Sequence, residues 1–252
     1  MAKILITGCS TGFGLATATL FLERGWDVVA TMRDISANQL ASHERLTVFP
    51  LDITSETSIK QALDATGPVD ALINNAGIGL LNALEGYTTG QIRDVVETNL
   101  IGTILMTQAV LPGMRAQKSG VIVNVSSSVT THPLPALSVY SSTKAAVNAF
   151  TQSLALEVAL FGIRARLVLP GASPSTAFAE NAFKRMGGLN IPAAYDAFVT
   201  DYIKELQGSP LHTDAGDVAN AVWRAVTDEH CPMLIPAGKD AIENFKAANI
   251  NF

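Results

Sequence analysis

Short apolar runs alternate with longer stretches of helical periodicity along this chain, and that alternation restricts its fold more than any other feature. The runs span residues 3–7, 27–32, 47–51, 70–73, 120–126, 163–169 and 233–236. Helical patterns cover 13–24, 55–65, 88–115, 138–161 and 214–227, with one or two further helices expected between 176 and 206. Strands that return by way of a helix pair in parallel. The pattern therefore predicts an α/β fold, a doubly wound parallel sheet of about seven strands. No repeat, low-complexity tract or linker interrupts it, and 252 residues at 48% hydrophobic are enough for one large core. A single domain over 1–252 is predicted.

In such sheets ligands bind beyond the carboxyl ends of the strands. The first strand, Lys3–Thr7, runs into Gly8-Cys9-Ser10-Thr11-Gly12-Phe13-Gly14 and then an apolar-periodic segment from Leu15 to Leu22. Glycines permit positive φ and close backbone approach, and the following helix offers unpaired N–H groups with partial positive charge. A pyrophosphate fits such a turn. The same residues also match G-x-S-x-G, a nucleophile elbow, with Asp217 and His230 following in hydrolase order. Only seven residues precede Gly8, too few for the strands and oxyanion loop that such a fold places before its elbow. A hydrolase using Ser10 stands as a remote alternative.

Tyr140 and Lys144 are four apart in a helical segment, which stacks them on one face. An adjacent cation favours the phenolate, so the pair makes Tyr140 a candidate general acid/base. With 4 Tyr and 8 Lys in 252 residues, such a pair arises by accident about one time in eight, and its weight comes from context. Ser127 lies thirteen residues upstream, just after the fifth run.

A net charge of −5 gives no support to nucleic-acid binding. Two cysteines, Cys9 and Cys231, are too few for a disulfide framework or a structural zinc site, and no metal site is expected. Without a charged-then-apolar leader or a run of eighteen apolar residues, a soluble cytoplasmic protein with no membrane partner is expected. The Asn124-Val-Ser126 sequon falls in an apparent buried strand and is discounted.

Taken in order, these motifs resemble the short-chain dehydrogenase/reductase family over essentially the whole chain. Thr7-Gly-Cys-Ser-Thr-Gly-Phe-Gly14 matches T-G-x-x-x-G-x-G, and Asn74-Asn-Ala-Gly77 matches N-N-A-G. Tyr140 to Lys144 matches Y-x-x-x-K, and Pro170-Gly171 matches the P-G after strand six. The resemblance implies hydride transfer between a nicotinamide and a carbonyl or alcohol carbon. It assigns the catalytic set to Asn99, Ser127, Tyr140 and Lys144, with Ser126 and Ser128 as near misses. Ser127 would orient the substrate oxygen and Tyr140 would protonate it. Lys144 would bind the nicotinamide ribose and depress the Tyr140 pKa, and Asn99 would hold a water linking Lys144 to solvent. Gly8, Ser10, Thr11, Gly12, Phe13, Gly14, Asp52, Ile53, Asn75, Ala76, Gly77, Pro170 and Gly171 would contact the dinucleotide. Asp52 could equally be a turn residue, and Asn75 to Gly77 could serve mainly to pin the fourth strand.

Cofactor choice divides two readings. Counting about twenty residues past the glycine motif reaches Asp34, which suggests a carboxylate on a ribose 2′-OH and hence NAD(H). Strand placement instead puts Met32 at the tip and Arg33 just beyond it, and a guanidinium there favours a 2′-phosphate. NADP(H) is preferred, with an Arg33–Asp34 surface pair as the alternative role.

After Pro170 the chain reads Gly-Ala-Ser-Pro-Ser-Thr176, one residue longer than the family's usual continuation, which leaves the register of Thr176 open. Phe178, Phe183, Met186, Leu189, Ile191, Tyr195, Phe198 and Tyr202 could form an apolar lid, at about 172–212, or the buried face of helices. Val129, Leu134 and Leu137 would line the opposite wall, and a loop residue such as His132 needs no catalytic role. Ala145 to Phe161 is apolar on more than one face, so a homodimer or homotetramer is expected. The leading function is an NADPH-dependent reductase of a hydrophobic ketone or aldehyde, reversible as an alcohol dehydrogenase. A nucleotide-binding regulatory protein with little turnover is the second reading.

Overall fold

In the computed structural model, residues 2–251 are described apart from Ser175, Ala177, Ala179, 183–190 and Ser209. The expected lid residues Phe183, Met186 and Leu189 therefore lie outside the described residues. Seven parallel strands are ordered β3-β2-β1-β4-β5-β6-β7. They are β1 Lys3–Thr7, β2 Asp27–Met32, β3 Leu46–Pro50, β4 Ala71–Asn74, β5 Gly120–Val125, β6 Ile163–Pro170 and β7 Leu234–Ala237. The order reverses between β1 and β4, and both strands release their chains at the same end of the sheet.

Alternation of side chains along a strand gives the sheet two apolar faces. Ile4 and Ile6 point to one, beneath α1 (Gly12–Glu23), whereas Leu5 points to the other, facing α2 (Glu56–Thr66). A third and a fourth helix, α3 (Thr89–Val96) and α4 (Gly102–Gln117), are joined by a π-helical turn at Glu97–Ile101 and make one continuous rod. By length and composition Thr89–Gln117 is long and apolar enough to cross a membrane; here Met106, Val110 and Met114 of that rod are buried in the core on the Leu5 face. Next come α5 (Ser138–Val158), on the same face, and α6 (Asp196–Gly208), while Val218, Val222 and Val226 of α7 (Ala215–Thr227) join the Ile4 face.

The sequence pattern stopped at β7, but the fold continues into α8 (Lys239–Ala247). Its buried residues, Ala241 and Phe245, are four apart and share one face. Phe245 sits fully buried with Val147, Leu167 and Leu169, worth roughly 2–3 kcal/mol for one aromatic side chain. Asn124, the sequon residue, is buried in β5 and bonded to Asn74 and Thr151.

Candidate active site

The chain leaves β1 over Gly8 (φ 74°) and enters α1 at Gly12 (φ 59°), two conformations that favour glycine. Thr11, the N-cap, makes no side-chain hydrogen bond, so the first-turn N–H groups have no cap acceptor. A Cβ on Gly14 would press into the Gly8 carbonyl oxygen and the Asn75 amide, so the turn closes only around bare backbone. Ser10 and Thr11 are half-buried on this turn, and the Phe13 ring leans on the core. Cys9 points inward, and burial pushes its thiol up to about 12, which makes it inert.

β4 delivers the second strip of the site. Asn75 donates through Nδ2 to the Thr7 and Gly8 carbonyls at 2.9 and 3.1 Å, and the Asn75 and Ala76 N–H groups both donate to Thr7 Oγ1 at 3.0 Å. A Cβ on Gly8 would come within 2.9 Å of Ala76 Cα. The Asn75 side chain is thus a clamp between β4 and the glycine turn. Asn74 is the residue that pins strands, reaching Asn124 Oδ1 at 2.8 Å and Thr107 Oγ1 at 3.0 Å.

Asn99, Ser127, Tyr140 and Lys144 converge past the ends of β4 and β5, and all four are buried. Asn99 projects from the π turn and pairs with the Ile78 backbone in both directions, its Nδ2 donating at 2.9 Å and its Oδ1 accepting at 2.8 Å. π turns of this kind recur at functional sites. A Cβ on Gly77 would lie 3.2 Å from Asn99 Oδ1 and 3.7 Å from Lys144 Nζ, so this glycine leaves open the space between them. The three consecutive serines separate cleanly. Ser126 Oγ donates to the Lys144 carbonyl at 3.3 Å, Ser128 Oγ accepts from Asn244 on α8 at 3.3 Å, and Ser127, whose Oγ accepts from Val129 N–H at 3.3 Å, is the serine whose hydroxyl acts on the Tyr140 phenol.

One expectation is corrected here. Lys144 does not depress Tyr140: burial pushes the phenol up to about 12, and the Ser127 hydroxyl is what opposes the rise. The Lys144 ammonium instead donates to the Val125 carbonyl at 2.9 Å and stands 5.9 Å from the Tyr140 ring centre. Burial lowers Lys144 itself to about 8. Desolvation outweighs the mutual influence of the pair because both groups are sealed from water.

At the other end of the site, β2 finishes at buried Met32 and leaves Arg33 exposed beyond the strand tip. Asp34 Oδ1 is taken up locally, accepting from Ser36 N–H at 2.9 Å and Ser36 Oγ at 2.7 Å. No ion pair joins Arg33 to Asp34 among the described residues. Asp52 likewise closes a turn, accepting from Thr54 N–H at 2.9 Å. That bond first, and Arg33 to a smaller extent, hold its carboxyl below the usual range despite partial burial. The Ile53 side chain turns inward against Gly102, so what it offers a ligand is its backbone.

Beyond Pro170 and Gly171, Thr176 settles beside Gly12: a Cβ built there would meet the Thr176 side chain at 3.7 Å. The Phe178 ring packs near Tyr140 with centres 6.1 Å apart and occupies the space over Gly79. Leu81, Val199 and Tyr202 form a separate apolar cluster with Leu134, Leu137, Ile191 and Tyr195 around them. Sequence reasoning did not single out Gly79, Leu81, Thr213 or Asp240, all of which border this region. His132 bonds Thr131 and takes no part in the convergence. The hydrolase arrangement does not assemble, because Asp217 caps α7 by accepting from Asp214 N–H and exposed His230 has no bond to Ser10 or Asp217.

These features fit a dinucleotide. An uncapped helix start, a turn with no room for side chains and a buried ammonium without a carboxylate partner among the described residues suit phosphate oxygens at one end and ribose hydroxyls at the other. Among the described residues no cluster of His, Cys, Asp or Glu could hold a metal ion. The sequence profile of the short chain dehydrogenases matches residues 2–187. Human (Homo sapiens) retinol dehydrogenase 8 is 38% identical over 179 residues, covering 67% of this chain but only 58% of that protein. A short-chain dehydrogenase from Streptomyces avermitilis superposes with a TM-score of 0.85 at 32% identity, covering 98% of this chain and 92% of the other. The closed form of a serine dehydrogenase complexed with NADP+ gives 0.81 at 27% identity, with 94% and 95% covered. Motif order, strand topology and these likenesses agree, and the chain belongs to the short-chain dehydrogenase/reductase family of oxidoreductases.

Proposed function

We propose that this protein is an NADPH-dependent oxidoreductase that reduces a hydrophobic ketone or aldehyde to the alcohol, and runs in reverse as an alcohol dehydrogenase. The observation that carries the reading is the convergence of the buried Tyr140 phenol and Ser127 hydroxyl, with Lys144 and Asn99 meeting beside Gly77. When bound, the reduced nicotinamide supplies the hydride to the carbonyl carbon. Tyr140 then gives its phenolic proton to the carbonyl oxygen, and Ser127 orients that oxygen by a hydrogen bond. A phenol at about 12 stays protonated throughout the neutral range, which suits the reductive direction. Lys144 holds the ribose hydroxyls through the donors it does not spend on Val125, and Asn99 orders the strip from Gly77 to Ile78 against it.

Preference for NADP(H) is supported by Arg33, exposed at the β2 tip, while Asp34 Oδ1 is taken up by Ser36. The hydrophobic substrate is supported by the Leu81–Val199–Tyr202 cluster and by Phe178 beside Tyr140, and the named activity of the human relative is in keeping with it. These residues make the 172–212 segment a substrate lid, with Tyr195 donating to Glu85 at 2.7 Å across its edge. Leu156 on the outer face of α5 and Leu160 in the 3-10 turn Ala159–Phe161 that follows it, 81% and 74% exposed, support a homodimer or homotetramer. A cytoplasmic location without nucleic-acid or membrane partners completes the reading.

The test is NADPH oxidation across a broad ketone and aldehyde panel by wild type and Tyr140→Phe. A loss of about 10²–10⁴-fold in turnover with NADPH binding retained is expected. Wild-type turnover in the variant overturns the mechanism, and a protein that binds NADPH but oxidises none of it across the panel would instead be the nucleotide-binding regulator.

A further inference from the structure

The segment that leaves β6 is held by a helix that the sequence pattern did not reveal. Gly171 N–H donates to Thr213 Oγ1 at 2.9 Å, and Thr213 N–H returns to the Ala172 carbonyl at 2.8 Å. Ala172 N–H donates to Asp240 Oδ2 at 2.6 Å. Thr213 Oγ1 lies 2.7 Å from Asp240 Oδ1 and 2.8 Å from the Ala237 carbonyl, and its single proton goes to one of these acceptors at a time. Thr213 is fully buried. Two glycines make room for the knot: a Cβ on Gly171 would collide with the Asp240 carboxylate, and one on Gly238 (φ 97°) with the Thr213 hydroxyl.

What the knot fixes is the departure of a strip that spans the proposed cofactor site. From Ala172 the chain turns at Ser173, whose carbonyl accepts from Thr176 Oγ1 at 2.8 Å, passes Gly12 at Thr176 and reaches Tyr140 at Phe178. Gly12 belongs to the pyrophosphate turn and Tyr140 to the reacting end. The strip therefore lies along the nicotinamide half of a dinucleotide, not along the adenosine half near Arg33.

We propose that Asp240 on α8, acting through Thr213, is a positioning residue that sets the nicotinamide end of the site; this rests on the dinucleotide reading above. The carboxylate touches neither cofactor nor substrate. It fixes the Gly171–Ala172 backbone, and so the approach of Thr176 and Phe178. A charge-assisted bond of this kind is worth enough to change occupancy of the correct strip conformation about tenfold.

The test measures binding of NADPH and of 2′-phospho-ADP-ribose, which keeps the adenosine and pyrophosphate but lacks the nicotinamide. Asp240→Ala is expected to weaken NADPH about tenfold and leave the fragment within about twofold. Asp240→Asn should restore most of the affinity, because its amide still accepts from Ala172 N–H and can donate to Thr213 while Thr213 donates to Ala237. Equal weakening of both ligands, or Asn behaving as Ala, overturns the proposal. Amide hydrogen exchange without ligand provides a separate readout: Gly171 and Ala172 should lose protection in Asp240→Ala, and unchanged protection overturns the anchor. If wild type binds neither ligand, the dinucleotide reading fails and takes the cofactor role of Asp240 with it, whereas the exchange result still decides whether the knot holds the strip.

Discussion

Replacing Lys144 by Met tests the electrostatics of the site without reference to any substrate. Burial lowers the Lys144 ammonium from 10.5 to about 8. Between those values the unfolded chain binds the proton and the folded chain does not, so folding stability rises with pH across that interval. The full difference is worth about 3 kcal/mol, and about 2 kcal/mol of it is recovered between roughly pH 7 and 9.5. Tyr140 works in the opposite sense. Its pKa is raised from 10.0 to about 12, so the stability it contributes is complete below 10 and is lost as pH climbs through about 12. Over the chosen interval it subtracts only a few tenths of a kcal/mol. Urea denaturation of wild type and Lys144→Met at both pH values isolates the lysine, because the remaining titrating groups are common to the two proteins. Wild type should gain about 2 kcal/mol relative to the variant on going from pH 7 to 9.5. Parallel pH dependences in the two proteins would show that the ammonium keeps an ordinary pKa in the fold, and the desolvation argument for the whole site would fail with it.

Two further outcomes follow from the outer parts of the molecule. Arg33→Ala should raise the KM for NADPH about tenfold and leave that for NADH nearly unchanged, as measured by initial rates with both cofactors; a wild-type preference for NADH that survives the substitution contradicts the 2′-phosphate assignment. Leu156→Glu combined with Leu160→Glu places charge on the exposed apolar side chains of α5 and of the turn that ends it, and should convert an oligomer to a monomer in light scattering at micromolar concentration. A wild-type monomer under the same conditions removes the proposed interface.

All seven strands were legible as short apolar runs, because helices cover both faces of the sheet and a strand buried on both sides reads as a continuous run, and the long helices filled the stretches between them. α8 was not singled out, although Ala241 and Phe245 stand one turn apart on its buried face. The positions of Asn99, Ser127, Tyr140 and Lys144 were readable from motif order, but the pKa values were not. Spacing reveals that a cation is near a phenol, whereas the sign of the shift depends on how completely both are removed from water. Asp34 shows a different limit: counting along the chain finds a carboxylate at the expected distance, but not that its Oδ1 accepts from the N–H and hydroxyl of Ser36 two residues on. Asp240 was invisible because its partners, Ala172 and Thr213, lie 68 and 27 positions away in the chain.

The π turn between α3 and α4 also acts as a phase shifter. Each residue of a regular helix advances the azimuth by about 100°, so one extra residue in a turn rotates everything downstream by that angle relative to everything upstream. The Gly102 N–H reaching back to the Glu97 carbonyl marks where this offset enters. Asn99 sits at the offset, aimed at Ile78, and Met106, Val110 and Met114 follow it into the core. Ironing the rod into an uninterrupted α-helix would leave the chain to choose which of the two azimuths to keep. The irregularity is what allows one rod to serve the packed interior and the strip at Ile78 at once.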